Sequence, residues 1–262
     1  MAQRDRSGRQ PPIVEFYDPN VNGGDAHGRT RREILRWDDE QLEQSHDYIQ
    51  ILFPLPEGSM FSYNAPIIGK KTLEAFHSRT PLRIALNESF GRMLKFYGFA
   101  LVNDVDEELL RAKASDELDR KDSDTPATAA PDDEPKPEGL QGFMKFSETG
   151  LNYEDFWHSI TGFHVVRGPN FEERSKNWCV RMYHNHLRIT RILRSLRVLG
   201  LEKQCEAFYK ALKDVYNDPK IKIGERSMMF WSRAVREPLH MAPDGTACKW
   251  LKRSQETEQT ED

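Results

Sequence analysis

The sequence predicts an all-α fold: a single domain of about six to nine helices that carries an acidic, disordered insertion. Three observations lead there. Apolar residues recur at spacings of three and four in most segments with a core pattern. Helix punctuation stands where those patterns begin or stop, as at Thr80-Pro81, Gly98 and Gly200. The stretch from Asp104 to Gly139 has no aromatic residue and mixes proline with charge, so it buries too little to offset its ordering entropy. The chain therefore divides into a disordered tail (1–12), a first helical part (13–102), an acidic linker or insertion (103–140), a second helical part (141–252) and a disordered acidic tail (253–262).

Along the first part, Leu42, His46, Ile49 and Phe53 share one face, which predicts one helix from Asp39 to Phe53, stopped by Pro54. An extended passage, Leu55 to Ile68, leads to a short helix through Leu73 and Phe76. Thr80 is placed to cap the next helix, with Pro81 at its first position, where a missing N–H costs nothing. That helix carries Leu82, Leu86, Phe90, Met93, Leu94 and Tyr97 on one arc and ends at Gly98. In the insertion, Asp106 to Asp119 has the composition of a surface helix. The aromatic-rich Asn152 to Val166 reads as helix rather than strand. From Asn177 to Leu199, Met182, Ile189, Ile192, Leu193, Leu196 and Leu199 line one side of a helix capped by Gly200. Leu201, Cys205, Phe208, Leu212 and Val215 mark the following helix, and Met228, Trp231 and Val235 the last one before Pro238.

Composition narrows the function classes. A hydrophobic share of 37% in 262 residues supports a core that excludes part of the chain. Three cysteines without metal-site spacing point to a reducing compartment. No apolar run approaches the roughly 18 residues that cross a bilayer, so secretion and membrane spanning are both disfavoured. The net charge of −4 conceals 13 acidic against 5 basic residues between 103 and 138, which leaves the remainder mildly basic.

The candidate chemistry centres on the 177–199 helix. His184 and His186 lie two apart, and on a helix they point about 200° from each other, so they do not grip one metal ion. His46, on an apolar face, reads as a core histidine, with a general base as the alternative. Asn185 projects into the apolar face and needs partners there: either the exposed backbone at a break in a neighbouring helix or a polar pocket. Arg188 and Asp47 are candidates to pair. Arg191, Arg194 and Arg197 share the side opposite the core and, with His184, form a candidate surface for a carboxylate, a phosphate or an acidic protein; the plainer alternative is a solvated face with internal ion pairs. A pI near 6.1 and the lack of a basic tail disfavour nucleic acid. No cofactor or metal is expected. The absence of P-loop, Rossmann and nucleophile-elbow motifs argues against an enzyme, although a pocket holding His46, His184 or His186 is kept as an alternative.

Three stretches together resemble the conserved domain of the opioid growth factor receptor family. They are His46-Asp47-Tyr48-Ile49-Gln50-Ile51-Leu52-Phe53-Pro54-Leu55-Pro56, Met93-Leu94-Lys95-Phe96-Tyr97-Gly98, and His184-Asn185-His186-Leu187-Arg188-Ile189-Thr190-Arg191-Ile192-Leu193 running into Leu199-Gly200-Leu201-Glu202. Trp37, Asn64-Ala65-Pro66, Phe171-Glu172-Glu173-Arg174 and Asn177-Trp178 support the match, which extends over roughly Phe16 to Arg236. The resemblance implies a non-catalytic receptor that binds the pentapeptide Met-enkephalin and restrains cell growth. It also implies a location around and within the nucleus, with peripheral membrane association in some descriptions.

Overall fold

Thr80-Pro81 and Gly98 bracket the longest helix of the computed structural model, which describes residues 10–58, 65–103 and 163–261. The chain forms two units, one from Met1–Leu101 with Val165–Asp262 and the other from Val102–His164. Of the second, only the strand ends at 102–103 and 163–164 are described. The expected surface helix Asp106 to Asp119 and most of Asn152 to Val166 lie outside the described residues.

Among the described residues the first unit begins with α1 (Pro12–Tyr17), α2 (Arg31–Leu35), α3 (Asp39–Gln44), α4 (Tyr48–Leu52), α5 (Lys70–Ser78) and α6 (Thr80–Tyr97). After β1 (Phe99–Asn103) and β2 (Phe163–Arg167), which pair as a two-stranded sheet, come α7 (Phe171–Ser175), α8 (His184–Val198), α9 (Glu202–Tyr216), α10 (Glu225–Arg236) and α11 (Lys249–Glu261). The all-helical class holds. The helices outnumber the expectation because α1 to α4 and α7 are five or six residues long, too short for a 3.6-residue period to register.

Two packed groups position the site. Helix α8 packs most extensively on α10 and α9. Ile189, Ile192, Leu193 and Leu196 of α8, Cys205, Phe208 and Leu212 of α9, and Trp231 and Ala234 of α10 are all buried. The Trp231 indole N–H donates to the His186 carbonyl at 3.1 Å, so this ring is satisfied inside the core. Around α6, an aromatic cluster joins elements distant in sequence. Phe99 lies 5.3 Å from Phe171, 5.7 Å from Trp178 and 5.7 Å from Phe208, and Tyr97 meets Trp178 edge-on at 5.7 Å. Gly98 makes this approach possible. Its φ of 86° is left-handed, and its N–H caps α6 on the Leu94 and Lys95 carbonyls.

Four sequence expectations are corrected. The single helix from Asp39 to Phe53 is two, α3 and α4, interrupted at Ser45–Asp47. The helix expected from Asn177 starts only at His184, because Met182 adopts a left-handed φ of 60° and turns its side chain outward, 82% exposed. The described end of the 152–166 segment, from Phe163 onward, is strand, since it pairs with β1. The 253–262 tail continues α11 to Glu261; buried Leu251 anchors this helix and Lys252 pairs with Glu256 at 3.9 Å.

A Cβ on residue 98 would lie 2.8 Å from the Phe171 Cα as well as demanding a left-handed backbone. Gly98→Ala is therefore expected to lower the unfolding free energy by roughly 2 to 4 kcal/mol in a denaturant titration; an unchanged midpoint would contradict this role.

Candidate functional site

Helix α3 is six residues long and ends with carbonyls that have no amide four residues on. Arg188 of α8 supplies the donors. Its Nη1 donates to the Leu42 carbonyl at 3.0 Å, and its Nη2 donates to the carbonyls of Glu43 at 3.2 Å and Ser45 at 2.7 Å. The same Nη2 lies 3.1 Å from His46 Nδ1, which must present its lone pair because a guanidinium only donates. The guanidinium also sits over the Tyr48 ring, 5.5 Å from its centroid. Five acceptors and one aromatic face surround a side chain that is 5% exposed, and this explains why the apolar face running from Leu42 to Phe53 is not one helix.

Asn185, one turn earlier on α8 and fully buried, holds the clamp in place. Its Oδ1 accepts from Arg188 at 3.2 Å and its Nδ2 donates to Glu43 Oε2 at 3.0 Å. Glu43 is thereby gripped from both ends. Its backbone carbonyl takes Arg188, and its carboxylate accepts the Tyr183 hydroxyl at 2.6 Å, with His184 Nε2 3.1 Å from Oε1. The His184 ring stacks on Tyr183 at 4.4 Å and meets His46 edge-on at 5.5 Å.

Beside this cluster opens a groove of about 310 Å³. Asp39, Glu40, Glu43 and Gln44 of α3 form one side, Phe96 and Trp178 supply apolar surface, and Arg174, Asn177 and Asn185 complete the lining. Asp39 is neutralised by Arg92 at 2.8 Å and Arg174 at 3.0 Å. Arg174 also donates to the Lys95 carbonyl. Glu40 is exposed and accepts only the Gln44 amide at 3.0 Å among the hydrogen bonds of the described residues, whereas the Glu43 carboxylate has Arg188 at 3.8 Å, so Glu40 is the less compensated acid of the groove. An acidic wall next to aromatic carbon suits a cationic group with an apolar neighbour.

The structure assembles His46, His184, Asn185 and Arg188 into one cluster but separates the other residues singled out from sequence. Asp47 does not pair with Arg188; it faces Arg29, which holds it through two bonds of 3.2 and 2.8 Å. His46 is exposed rather than in the core. The arginines expected to face solvent turn inward. Arg194 is 1% exposed and binds Glu57 at 3.2 Å, Arg191 Nε donates to the Phe53 carbonyl at 2.7 Å, and Arg197 donates to the Glu237 carbonyl. Burial lowers the Arg191 guanidinium to about 10, which leaves it charged at neutral pH. The reason lies in neighbours that a helical projection of α8 alone does not contain: the stretch Phe53 to Glu57 receives Arg191 and Arg194, and the end of α10 receives Arg197. Periodicity singled out neither Glu43 nor Tyr183, because each acts through its polar end, and Trp178 and Arg174 carried no signal beyond their place in the resemblance.

His186 points away from His184, into the core. Its Nε2 donates to the Trp178 carbonyl at 2.7 Å, which leaves Nδ1 to accept from the Ser227 hydroxyl at 2.7 Å. Burial lowers the pKa of His186, against the opposing pull of the Trp178 carbonyl. It also lowers that of His184, where Arg188 adds to the effect. With folded values below 6.5, the native state binds fewer protons than the unfolded chain, so this stability is complete above about 6.5 and is lost as pH falls below it. Urea midpoints are expected to decline as pH falls below about 6.5 and to decline less in His186→Asn; parallel profiles for the two proteins would refute the assignment. Asn185→Leu, which strips an acceptor from Arg188 and a donor from Glu43, is expected to cost about 2 kcal/mol or more in the same titration at pH 7.5, and an unchanged value would exclude the bracing role.

The family model described as the opioid growth factor receptor conserved region matches residues 15–121 and 147–239. The chain is 31% identical over 179 residues to the opioid growth factor receptor of Rattus norvegicus, covering 67% of this chain and 21% of that protein. Identity is 30% over 171 residues to the Mus musculus receptor (64% of this chain, 18% of that one) and 27% over 205 residues to the Homo sapiens receptor (77% and 21%). The chain thus spans about a fifth of the length of the curated relatives it matches. No solved structure matches. The matched residues hold α3, α6 and α8, the groove they line and the Arg188 clamp, and the chain belongs to the opioid growth factor receptor family through this conserved region.

Proposed function

We propose that the chain is a receptor-like peptide-binding module and that its ligand seats in the groove beside α3. The groove's composition carries this reading: two carboxylates, Glu40 and Glu43, stand next to the apolar surfaces of Phe96 and Trp178, with Arg174 on the same lining. An enkephalin-type pentapeptide offers the complementary set, an ammonium, aromatic rings and a carboxylate, and a cavity of about 310 Å³ holds one end of it. The name carried by the rat, mouse and human relatives, a receptor for an opioid growth factor, supports a peptide ligand. On this reading, ligand occupancy is what would couple the module to growth control in the cytoplasm or nucleus. No helix of the described residues is long and apolar enough to cross a membrane. The inward turn of Arg191, Arg194 and Arg197 removes support for a binding surface on that side of α8.

Titration calorimetry with an enkephalin-type pentapeptide is expected to give a dissociation constant below about 1 mM, weakened at least tenfold by Glu40→Gln, an exposed position whose change leaves the fold intact. Absence of heat at millimolar peptide would contradict the proposal.

A further inference from the structure

Helix α10 turns Trp231 and Ala234 into the core, and Ser227 toward His186. Its opposite side carries Arg226, Met229, Arg233 and Arg236, which recur at spacings of three and four and so form one stripe. Arg226 and Arg236 are exposed, Arg233 is half-buried, and Met229 in their midst is 40% exposed.

Elsewhere many arginines hold carboxylates of the protein itself: Arg29 holds Asp25 and Asp47, Arg31 holds Glu88, Arg167 holds Asp218 and Arg194 holds Glu57. Among the described residues, none of the three on α10 forms an ion pair. Each is restrained in a way that leaves its charge open. Arg226 lies over the Phe230 ring, 5.8 Å from its centroid, and Arg236 over the Tyr209 ring at 5.6 Å, while Arg233 Nη1 donates to the Pro243 carbonyl at 3.4 Å. Tyr209 is itself pinned by a 2.5 Å hydrogen bond with Ser232. Stacking restrains a guanidinium without neutralising it and leaves N–H groups at its edge for an acceptor. It also lowers the entropy lost when a partner orders these long side chains. The nearest acids in sequence are Glu225 and Glu237 at the two ends of the helix, and Asp244, whose Oδ1 accepts the Thr246 N–H at 2.8 Å. Among the described residues these acids form no ion pair with the stripe.

Restrained, unpaired cations around an exposed thioether match carboxylates that flank an apolar side chain. Arg226 and Arg233 stand two helical turns apart, about 10 Å along the axis, with Met229 between them. Nucleic acid fits less well. The net charge of −4 repels a polyanion, and Phe230 and Tyr209 are stacked on arginines instead of being open to bases.

We propose that the outward face of α10 docks an acidic amphipathic segment of a partner protein, with its carboxylates on Arg226, Arg233 and Arg236 and its apolar side chain on Met229. No residue of α10 lines the groove beside α3, so this surface stands apart from the peptide-binding reading.

The probe is a synthetic helical peptide with glutamates two turns apart and a leucine between them, titrated by fluorescence anisotropy at low salt. Wild type is expected to bind it with a dissociation constant below about 100 μM, and Arg226→Glu combined with Arg233→Glu to weaken it at least tenfold. Met229→Ser is expected to weaken it roughly fivefold. With lysines in place of the glutamates the preference reverses, and the doubly substituted protein binds at least tenfold more tightly than wild type. Equal binding of the acidic peptide by wild type and double variant would overturn the proposal. A double variant that loses the acidic peptide without gaining the basic one would do the same. Tighter binding of a single-stranded oligonucleotide than of the acidic peptide would also overturn it, by making the face a polyanion site.

Discussion

A single guanidinium decides the course of the first part of the chain. Arg188 is nearly removed from water, and a charge in that position is tolerated only if its donors are met. They are met by backbone: the carbonyls of Leu42, Glu43 and Ser45, released because α3 stops after six residues. Each side needs the other. Without the arginine, three carbonyls at a partly buried helix end would lose their protein donors; without the break, the arginine would be an unpaired buried charge. The turn at Ser45–Asp47 then sends α4 in a new direction, so that Tyr48 comes under the guanidinium and the Phe53–Glu57 stretch reaches Arg191 and Arg194 further along α8. One face of α8 thus organises the path from Leu42 to Glu57, while its other face packs on α9 and α10.

The groove follows from the same contact. Ending α3 where it does leaves Glu40 and Glu43 on a short helix whose C-terminus is tied down, and the Glu43 carboxylate is oriented by Tyr183 and Asn185 rather than free to rotate. On the opposite side, Gly98 allows α7 to approach α6, which brings Trp178 and Arg174 against the end of α6. The site is therefore held by backbone geometry at both edges; Arg92 and Arg174 are spent on Asp39, Arg188 lies 3.8 Å from the Glu43 carboxylate, and Glu40 is left as the exposed acid of the wall. Preorganisation of this kind reduces what a ligand must order on binding.

Much of the helical scaffold was legible in the sequence because it rests on local chemistry. Thr80-Pro81, Gly98 and Gly200 stand where α6 begins, α6 ends and α8 ends, with Gly98 and Gly200 both at positive φ; the N-cap of α6 is nevertheless Arg79, and Thr80 is its first helical residue, its hydroxyl accepting from Arg83 instead of capping. Asn185 was legible in a different way: an amide in the middle of an apolar face needs partners, and a break in a neighbouring helix was one of the two places to look for them. The structure shows that Asn185 reaches the break through Arg188 rather than directly. What was not legible depends on contacts between distant segments. The split of α3 from α4 is made by a residue more than a hundred positions away, and the inward orientation of Arg191, Arg194 and Arg197 depends on a chain layer from Phe53 to Glu57 and on the end of α10. Met182 carried an apolar signal but sits in a left-handed turn, which composition does not reveal. The groove draws on α3, α6, α7 and α8, so no single segment's periodicity marks it.

The claim that Arg188 organises this region is tested most directly by Arg188→Lys, which keeps the charge but has no planar fork to reach three carbonyls and Asn185 together. Equilibrium unfolding combined with native-state hydrogen exchange is the measurement. The expected result is a loss of about 3 kcal/mol or more, with accelerated exchange confined to the amides of α3 and α4 while α9 and α10 keep their protection. Wild-type stability and unchanged exchange in α3 and α4 would contradict the account.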